Sequence, residues 1–256
     1  MDPLLDYSDK VVLITGAASG FGELLAHEFS ARGARLVLGD IYENGVETVA
    51  SQLPGPAAAM VCDVRREDNC QAMVEAAIEL YGQLDIAINN AGIVQSLTPF
   101  EDSDSEVVEQ QMAVNVNGVL YGMKHQLRAM KEQGNGVILN VSSAAGLAAA
   151  PKMAIYAASK HAVIGLTKTA AAEYAKLGVR VNAVCPFFTL TPMVTDSNLA
   201  PGKTSAELES SLSRSTPMKR LANPEEIVNV MLLLCSPGNT FMTGQAIAVD
   251  GGLSAL

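Results

Sequence analysis

Short runs that are apolar at nearly every position alternate with longer stretches of helical spacing along the chain. VVLIT from Val11, RLVLGD from Arg35, AAAMVCD from Ala57, LDIAINN from Leu84, GVILNVSS from Gly136, VRVNAVC from Val179 and QAIAVD from Gln245 read as strands. Helical periodicity runs from Phe21 to Arg32, Asn44 to Leu53, Glu67 to Tyr81, Asp104 to Lys131, Tyr156 to Leu177 and Pro224 to Leu234. A strand without a polar face is covered on both sides, which suits a parallel sheet with helices above and below. The alternation predicts one doubly wound α/β domain over residues 1–256, with a seven-stranded parallel sheet flanked by helices on both faces. The segment from Pro186 to about Leu221 is rich in Ser, Thr and Pro. A connection of that length in a compact domain reads as a functional insertion, here a substrate loop.

Composition narrows the classes. Hydrophobic residues make up 49% of the 256 and charged residues 17%, so a sizeable core is available and disorder is excluded. The net charge of -10 argues against a phosphate-backbone binder and against an anionic membrane surface. No apolar run is long enough to span a bilayer, and the acidic start MDPLLDYSDK is no signal peptide. Cys62, Cys70, Cys185 and Cys235 lack metal or redox spacing, and His27, His125 and His161 are scattered. No metal site is expected, and four reduced thiols point to the cytoplasm.

The first strand–helix junction reads TGAASGFG, with Gly16, Gly20 and Gly22. Backbone N–H groups and a helix N-terminus can hold a pyrophosphate there, which makes the expected fold Rossmann-like. Asp40 ends the second strand, where a carboxylate accepts from both ribose hydroxyls of the adenosine half and repels a 2′-phosphate. No Arg or Lys lies in the glycine turn, and Ile41 and Tyr42 follow Asp40, so nothing nearby is expected to bind that phosphate. The reading is NAD. Asp63 and Val64 end the third strand, and Asn89, Asn90, Ala91 and Gly92 the fourth, where ligands bind in open α/β sheets.

Tyr156 and Lys160 are four apart on a helix and share a face. A neighbouring ammonium stabilises a phenolate, which would bring Tyr156 into range as a general acid/base. Ser143, just past the fifth strand, could hold a substrate oxygen, with Ser142 as its local competitor. Asn115 sits mid-helix, where Asn is mildly unfavourable, and so could serve a polar site.

Together TGAASGFG, NNAG from Asn89 and YAASK from Tyr156 resemble, in order and spacing, the short-chain dehydrogenases/reductases over essentially the whole chain. The resemblance implies a catalytic tetrad of Asn115, Ser143, Tyr156 and Lys160. Asn115 would hold a water in a proton relay through Lys160, and Lys160 would bind the nicotinamide ribose. Asp63 and Val64 would hold the adenine. Ser19 and Phe21 would line the phosphate turn beside Gly16, Gly20 and Gly22, with Asn90 and Gly92 also at the cofactor. Thr189 and Thr191 would contact the nicotinamide amide or pyrophosphate. It further implies a homotetramer built on the fourth and fifth helices. The family commonly has Pro-Gly after the sixth strand; this chain has Pro186-Phe187.

Family geometry places Ile93, Val94, Gln95, Leu97, Ala149, Met153, Phe187, Phe188, Leu190 and Met193 at the substrate. None is charged, whereas a carboxylate or sugar phosphate calls for a fixed Arg or Lys. The expected reaction is reversible, NAD-linked hydride transfer between a rather hydrophobic secondary alcohol and its ketone, cyclic and steroid-like ones included. A 3-oxoacyl-carrier-protein reductase, a sugar dehydrogenase and a catalytically silent NAD-binding regulator stay open as alternatives.

Overall fold

A computed structural model describes residues 3–195 and 204–255. Its strands are β1 (Val11–Thr15), β2 (Arg35–Asp40), β3 (Ala57–Val61), β4 (Ile86–Asn89), β5 (Gly136–Val141), β6 (Val179–Pro186) and β7 (Ala246–Val249). All pair in parallel in one sheet, in the order β3-β2-β1-β4-β5-β6-β7. The α-helices follow the chain as α1 (Gly20–Ala31), α2 (Glu43–Gln52), α3 (Glu67–Tyr81), α4 (Ser105–Met112), α5 (Gly118–Gln133), α6 (Ala154–Tyr174) and, after the irregular segment, a helix at Pro224–Cys235. Within that segment lie α7 (Pro192–Thr195) and α8 (Ser205–Ser213), which makes Pro224–Cys235 α9. Positions 196–203 of the expected substrate loop lie outside the described residues.

The unbroken apolar strands serve two cores. Val12 and Ile14 of β1 face Leu25 and Phe29 of α1 and Ile227 and Met231 of α9. Val11 and Leu13 face the other layer, with Met73 of α3, Met130 of α5 and Val163 of α6. Alternate residues point to opposite faces, so both must be apolar. Fully burying one such side chain stabilises by about 1.5–3 kcal/mol. The edge strands differ: β3 and β7 are only partly buried, because each lacks a neighbour on one side. No helix among the described residues is long and apolar enough to cross a membrane.

The stretch expected as one helix from Asp104 to Lys131 is α4 and α5 joined by a π turn at Ala113–Asn117. Asp104 caps α4 by accepting from the backbone N–H of Glu106 and Val107 at 2.7 and 3.3 Å. The widened turn carries Asn115, whose side chain is fully buried. Such turns commonly mark functional positions. Helix α6 begins two residues earlier than the periodicity indicates and tightens into a 3-10 turn at Ala175–Leu177.

A buried polar network fixes these layers together. Asn89 donates to Asn140 (2.8 Å) and Gln126 (3.0 Å), Gln126 donates back to Asn89 (2.9 Å), and Asn140 donates to Thr167 (2.9 Å). It joins β4, β5, α5 and α6. Each member has partners, which is the condition for burying amides without penalty.

Candidate active site

Chain direction reverses its march across the sheet between β1 and β4, and the crevice opens at the carboxyl ends of those strands. A cleft of about 810 Å³ runs from Asp40 and Asp63 past the glycine turn to Tyr156 and Phe188.

At one end the turn after β1 is shaped by glycine. Gly16 has φ +66°, and a Cβ there would sit 2.8 Å from Cα of Ala91. A Cβ on Gly22 would lie 2.0 Å from the carbonyl oxygen of Gly16, so the helix start and the turn touch backbone to backbone. The amino end of α1 therefore faces the cleft, with Ser19, Gly20 and Phe21 in its wall. Asn90 braces this turn, its Nδ2 donating to the carbonyls of Thr15 and Gly16 at 3.0 Å each. Oδ2 of Asp40 accepts from the Ala18 N–H and Oδ1 from the Tyr42 N–H, both at 3.0 Å, and each oxygen keeps a further lone pair. The cradle fits a dinucleotide: an open concave turn, a helix N-terminus and a carboxylate at the far strand end.

Arg65 also lines the cleft whose wall includes Asp40 and Ile41. Its Nε and Nη2 are engaged by Asp63, at 2.9 and 2.7 Å, and the pair holds the Asp63 carboxyl below its ordinary range. The sequence around Asp40 does not show this cation, because Arg65 follows β3, 25 residues further along the chain.

At the other end, α6 carries Tyr156 and Lys160 into the cleft. Nζ of Lys160 lies 5.5 Å from the Tyr156 ring centroid and donates to the Val141 carbonyl at 2.9 Å. Gly92 lies against this group, where a Cβ would meet Asn115 Oδ1 at 3.3 Å and the Lys160 nitrogen at an ordinary 3.5 Å. Between the two serines the geometry decides. Ser142 is buried and donates to the Lys160 carbonyl at 2.9 Å, while Ser143 hydrogen-bonds the Tyr156 phenol. Burial drives that phenol above its ordinary value, and the bond to Ser143 draws it back. Burial also pushes Lys160 down to about 8. The Tyr156 value therefore stands above its ordinary one rather than below it as expected, because loss of solvent outweighs the Ser143 hydrogen bond.

Asn115 is close by but its amide is occupied. Oδ1 accepts from the Ile93 N–H at 2.9 Å, and Nδ2 donates to the Ile93 carbonyl at 2.9 Å and to Ser159 at 3.2 Å. Both of its side-chain donors are taken, so the side chain fastens the loop after β4 to α6.

Val94, Met153, Phe187, Phe188 and Met193 line the cleft, as do Val64, Thr189 and Thr191. The hydroxyl of Thr189 donates to the Phe187 carbonyl at 2.9 Å. Phe187 packs edge-on against Phe188, with centroids 4.9 Å apart. Gln95 and Leu190 are not in the lining, in contrast to the family-based expectation. Gln95 is buried, and its Oε1 accepts from the Tyr156 N–H at 3.0 Å. Neighbours along an extended loop point opposite ways, so Val94 faces the cleft and Gln95 faces inward. The alanine-rich run from Ala144 to Ala150, together with Leu212, Ser215 and Leu253, completes the wall. The run AAGLAAAP is the one signal in the sequence that could have disclosed this part, as a wall of small apolar side chains.

Comparison with known proteins gives the following. A family model described as enoyl-(acyl carrier protein) reductase matches residues 16–254. An uncharacterized oxidoreductase of Thermotoga maritima is 41% identical, over 98% of this chain and 100% of its own. The 2,5-dichloro-2,5-cyclohexadiene-1,4-diol dehydrogenase of Sphingobium indicum is 37% identical, over 98% of this chain and 99% of its own. The crystal structure of levodione reductase superposes with a TM-score of 0.94 at 33% identity, covering 97% of this chain and 98% of that one.

Proposed function

The chain belongs to the short-chain dehydrogenase/reductase family, and from that premise we propose that it interconverts a hydrophobic, cyclic secondary alcohol and its ketone with NAD(H). The observation that carries this reading is the convergence of Ser143, Tyr156 and Lys160 on an apolar cleft that continues into the glycine turn. Relatives named for cyclic diols and diones are in keeping with the shape of that cleft.

When bound, an oxidised nicotinamide would supply the acceptor for the hydride that leaves the carbinol carbon. The protein does the rest. The Ser143 hydroxyl holds the substrate oxygen, and Tyr156 takes its proton. Lys160, held in place through the Val141 carbonyl, provides the positive charge that favours the Tyr156 phenolate. The residues around Met153 and Phe188 exclude water and press the ring against the reacting groups. At the other end Gly16, Ser19, Gly20, Phe21 and Gly22 take the pyrophosphate, Asp40 the ribose, and Asp63 and Val64 the adenine. Asn90 and Gly92 shape the floor, and Thr189 and Thr191 flank the nicotinamide end. The NAD preference rests on the Asp40 carboxylate, and on Arg65 being held by Asp63 rather than free for a phosphate.

Turnover tests this directly. A panel of cyclic, aryl, steroid and polyol alcohols with NAD should show activity on the cyclic ones. Tyr156→Phe should bind NADH as wild type does and lose about 10²–10⁴-fold in kcat. Wild-type-like turnover by that variant would remove Tyr156 from the mechanism. A carrier-protein-linked reductase is the second reading, because the matching family model carries that description. Asp40 and the net charge of -10 count against it, since an acidic carrier calls for a basic docking face. Faster reduction of an acetoacetyl thioester with NADPH than of any cyclic ketone with NADH would favour it.

A further inference from the structure

Helix α6 presents Tyr156 in its first turn, and the ordinary device for ordering a first turn is missing. Its N-cap residue is Met153, which has no side-chain acceptor to offer. A helix start leaves its first N–H groups without intrahelical partners, and a polar N-cap side chain usually accepts from the second or third of them. Here the third helical residue is Tyr156 itself, and its N–H is met by Oε1 of Gln95 at 3.0 Å, from 61 residues earlier in the chain. Gln95 is only 6% exposed, so no water competes freely for that bond.

The segment that carries Gln95 is held at both ends. Asn115 grips Ile93 through its N–H and its carbonyl, each at 2.9 Å. The Thr98 N–H donates to the carbonyl of Lys152 at 2.9 Å, just ahead of α6. Lys152 itself adopts φ +66°, a conformation that non-glycine residues avoid unless their surroundings impose it. Between these ties Val94 and Leu97 pack with Met153 and Tyr156. One short loop thus connects the π turn, the apolar wall of the cleft and the backbone of the acid/base residue.

We propose that Gln95 is a positioning residue for Tyr156: it supplies from a distance the cap that α6 lacks, and so sets the placement of the phenol relative to Ser143 and Lys160. It touches neither substrate nor cofactor. The proposal rests on Tyr156 acting as the acid/base group, as read above. A carboxylate can make the same acceptance, and the positive end of the helix favours it, so Gln95→Glu is the conservative variant and Gln95→Leu the disruptive one.

The experiment measures NADH affinity, kcat and KM for a cyclic alcohol, the pH profile of kcat, and hydrogen exchange at the Tyr156 amide. All rates are taken per NADH-binding site, so that misfolded protein does not count. Gln95→Leu should lose about 10–10²-fold in kcat with NADH affinity within about twofold of wild type, because displacement by about 1 Å has that effect. Its kcat profile should shift along the pH axis and its Tyr156 amide should lose protection, with Gln95→Glu restoring both rate and protection. Unchanged kcat in Gln95→Leu would overturn the proposal. Equal losses in both variants would overturn it too, as would a parallel loss of NADH affinity. If the wild-type protein turned over none of the alcohols, the dehydrogenase reading would fall, and amide exchange would still decide whether Gln95 caps α6.

Discussion

Lys160 is a cation in a place that disfavours cations. It is buried, and it donates to a neutral carbonyl rather than a carboxylate, so its value falls to about 8. The stability consequence has a definite sign. Between about 8 and the ordinary lysine value of 10.5, the unfolded chain holds a proton that the folded chain has released, so stability from this residue rises with pH across that window. Below about 8 its destabilising effect is fully present. Calorimetry of the cofactor-free protein against Lys160→Met should therefore show the difference in melting temperature moving in favour of wild type as pH rises from 7 to 10. A constant difference would contradict this account. Asp40 makes a residue-scale prediction of its own: Asp40→Ala should reduce the NAD over NADP preference by at least about tenfold in kcat/KM, since a charge–hydroxyl contact of 1.5–3 kcal/mol is removed. Tyr156, Lys160 and Asp40 were legible in the sequence because local spacing or a strand end marks them. Gln95 was misplaced because its partner lies 61 residues away, and Arg65 was missed because it enters the cleft from beyond a different strand than Asp40, neither of which periodicity records.

At the scale of elements the strands are the most legible part. A run such as VVLIT leaves no polar face, and the structure shows why: alternate residues enter separate cores. The π turn was not legible. One additional residue per turn arises from the hold of Asn115 on Ile93, and an apolar pattern around it reads equally well as plain helix. The mid-helix asparagine was the only hint. The junction of β1 and α1 supports the element-scale prediction. Gly22→Ala would place a methyl 2.0 Å from the Gly16 carbonyl, and backbone cannot yield as a side chain can. The turn must open, so NADH affinity should drop by more than about tenfold and stability by about 1–3 kcal/mol. Retained affinity in a titration would show that the turn tolerates the separation.

For the whole molecule, strand order is what turns scattered residues into one site. The reversal between β1 and β4 brings the glycine turn beside the loop after β4, and β5 and α6 then deliver Ser143 and Tyr156 to the same crevice. The outer surface leaves Val108 of α4 and Leu120 of α5 exposed at 37% and 44%. Apolar positions on these helices are what a four-subunit assembly would cover. Light scattering should give about four times the 26.8 kDa chain mass, and Leu120→Glu should lower it. A monomer at all concentrations would dismiss the assembly.

Leu253, in the last turn of the chain, lines the cleft, and the Asp250 carboxylate anchors that turn through the N–H groups of Gly252 and Ser254 at 3.0 and 2.9 Å. Residues near the start are pinned elsewhere: the Leu4 carbonyl accepts from Ser236, at the far end of α9. The two ends of the fold are therefore unequal as handles. A bulky group attached at Leu253 would crowd the cleft, whereas one attached at Leu4 would sit beside the far end of α9.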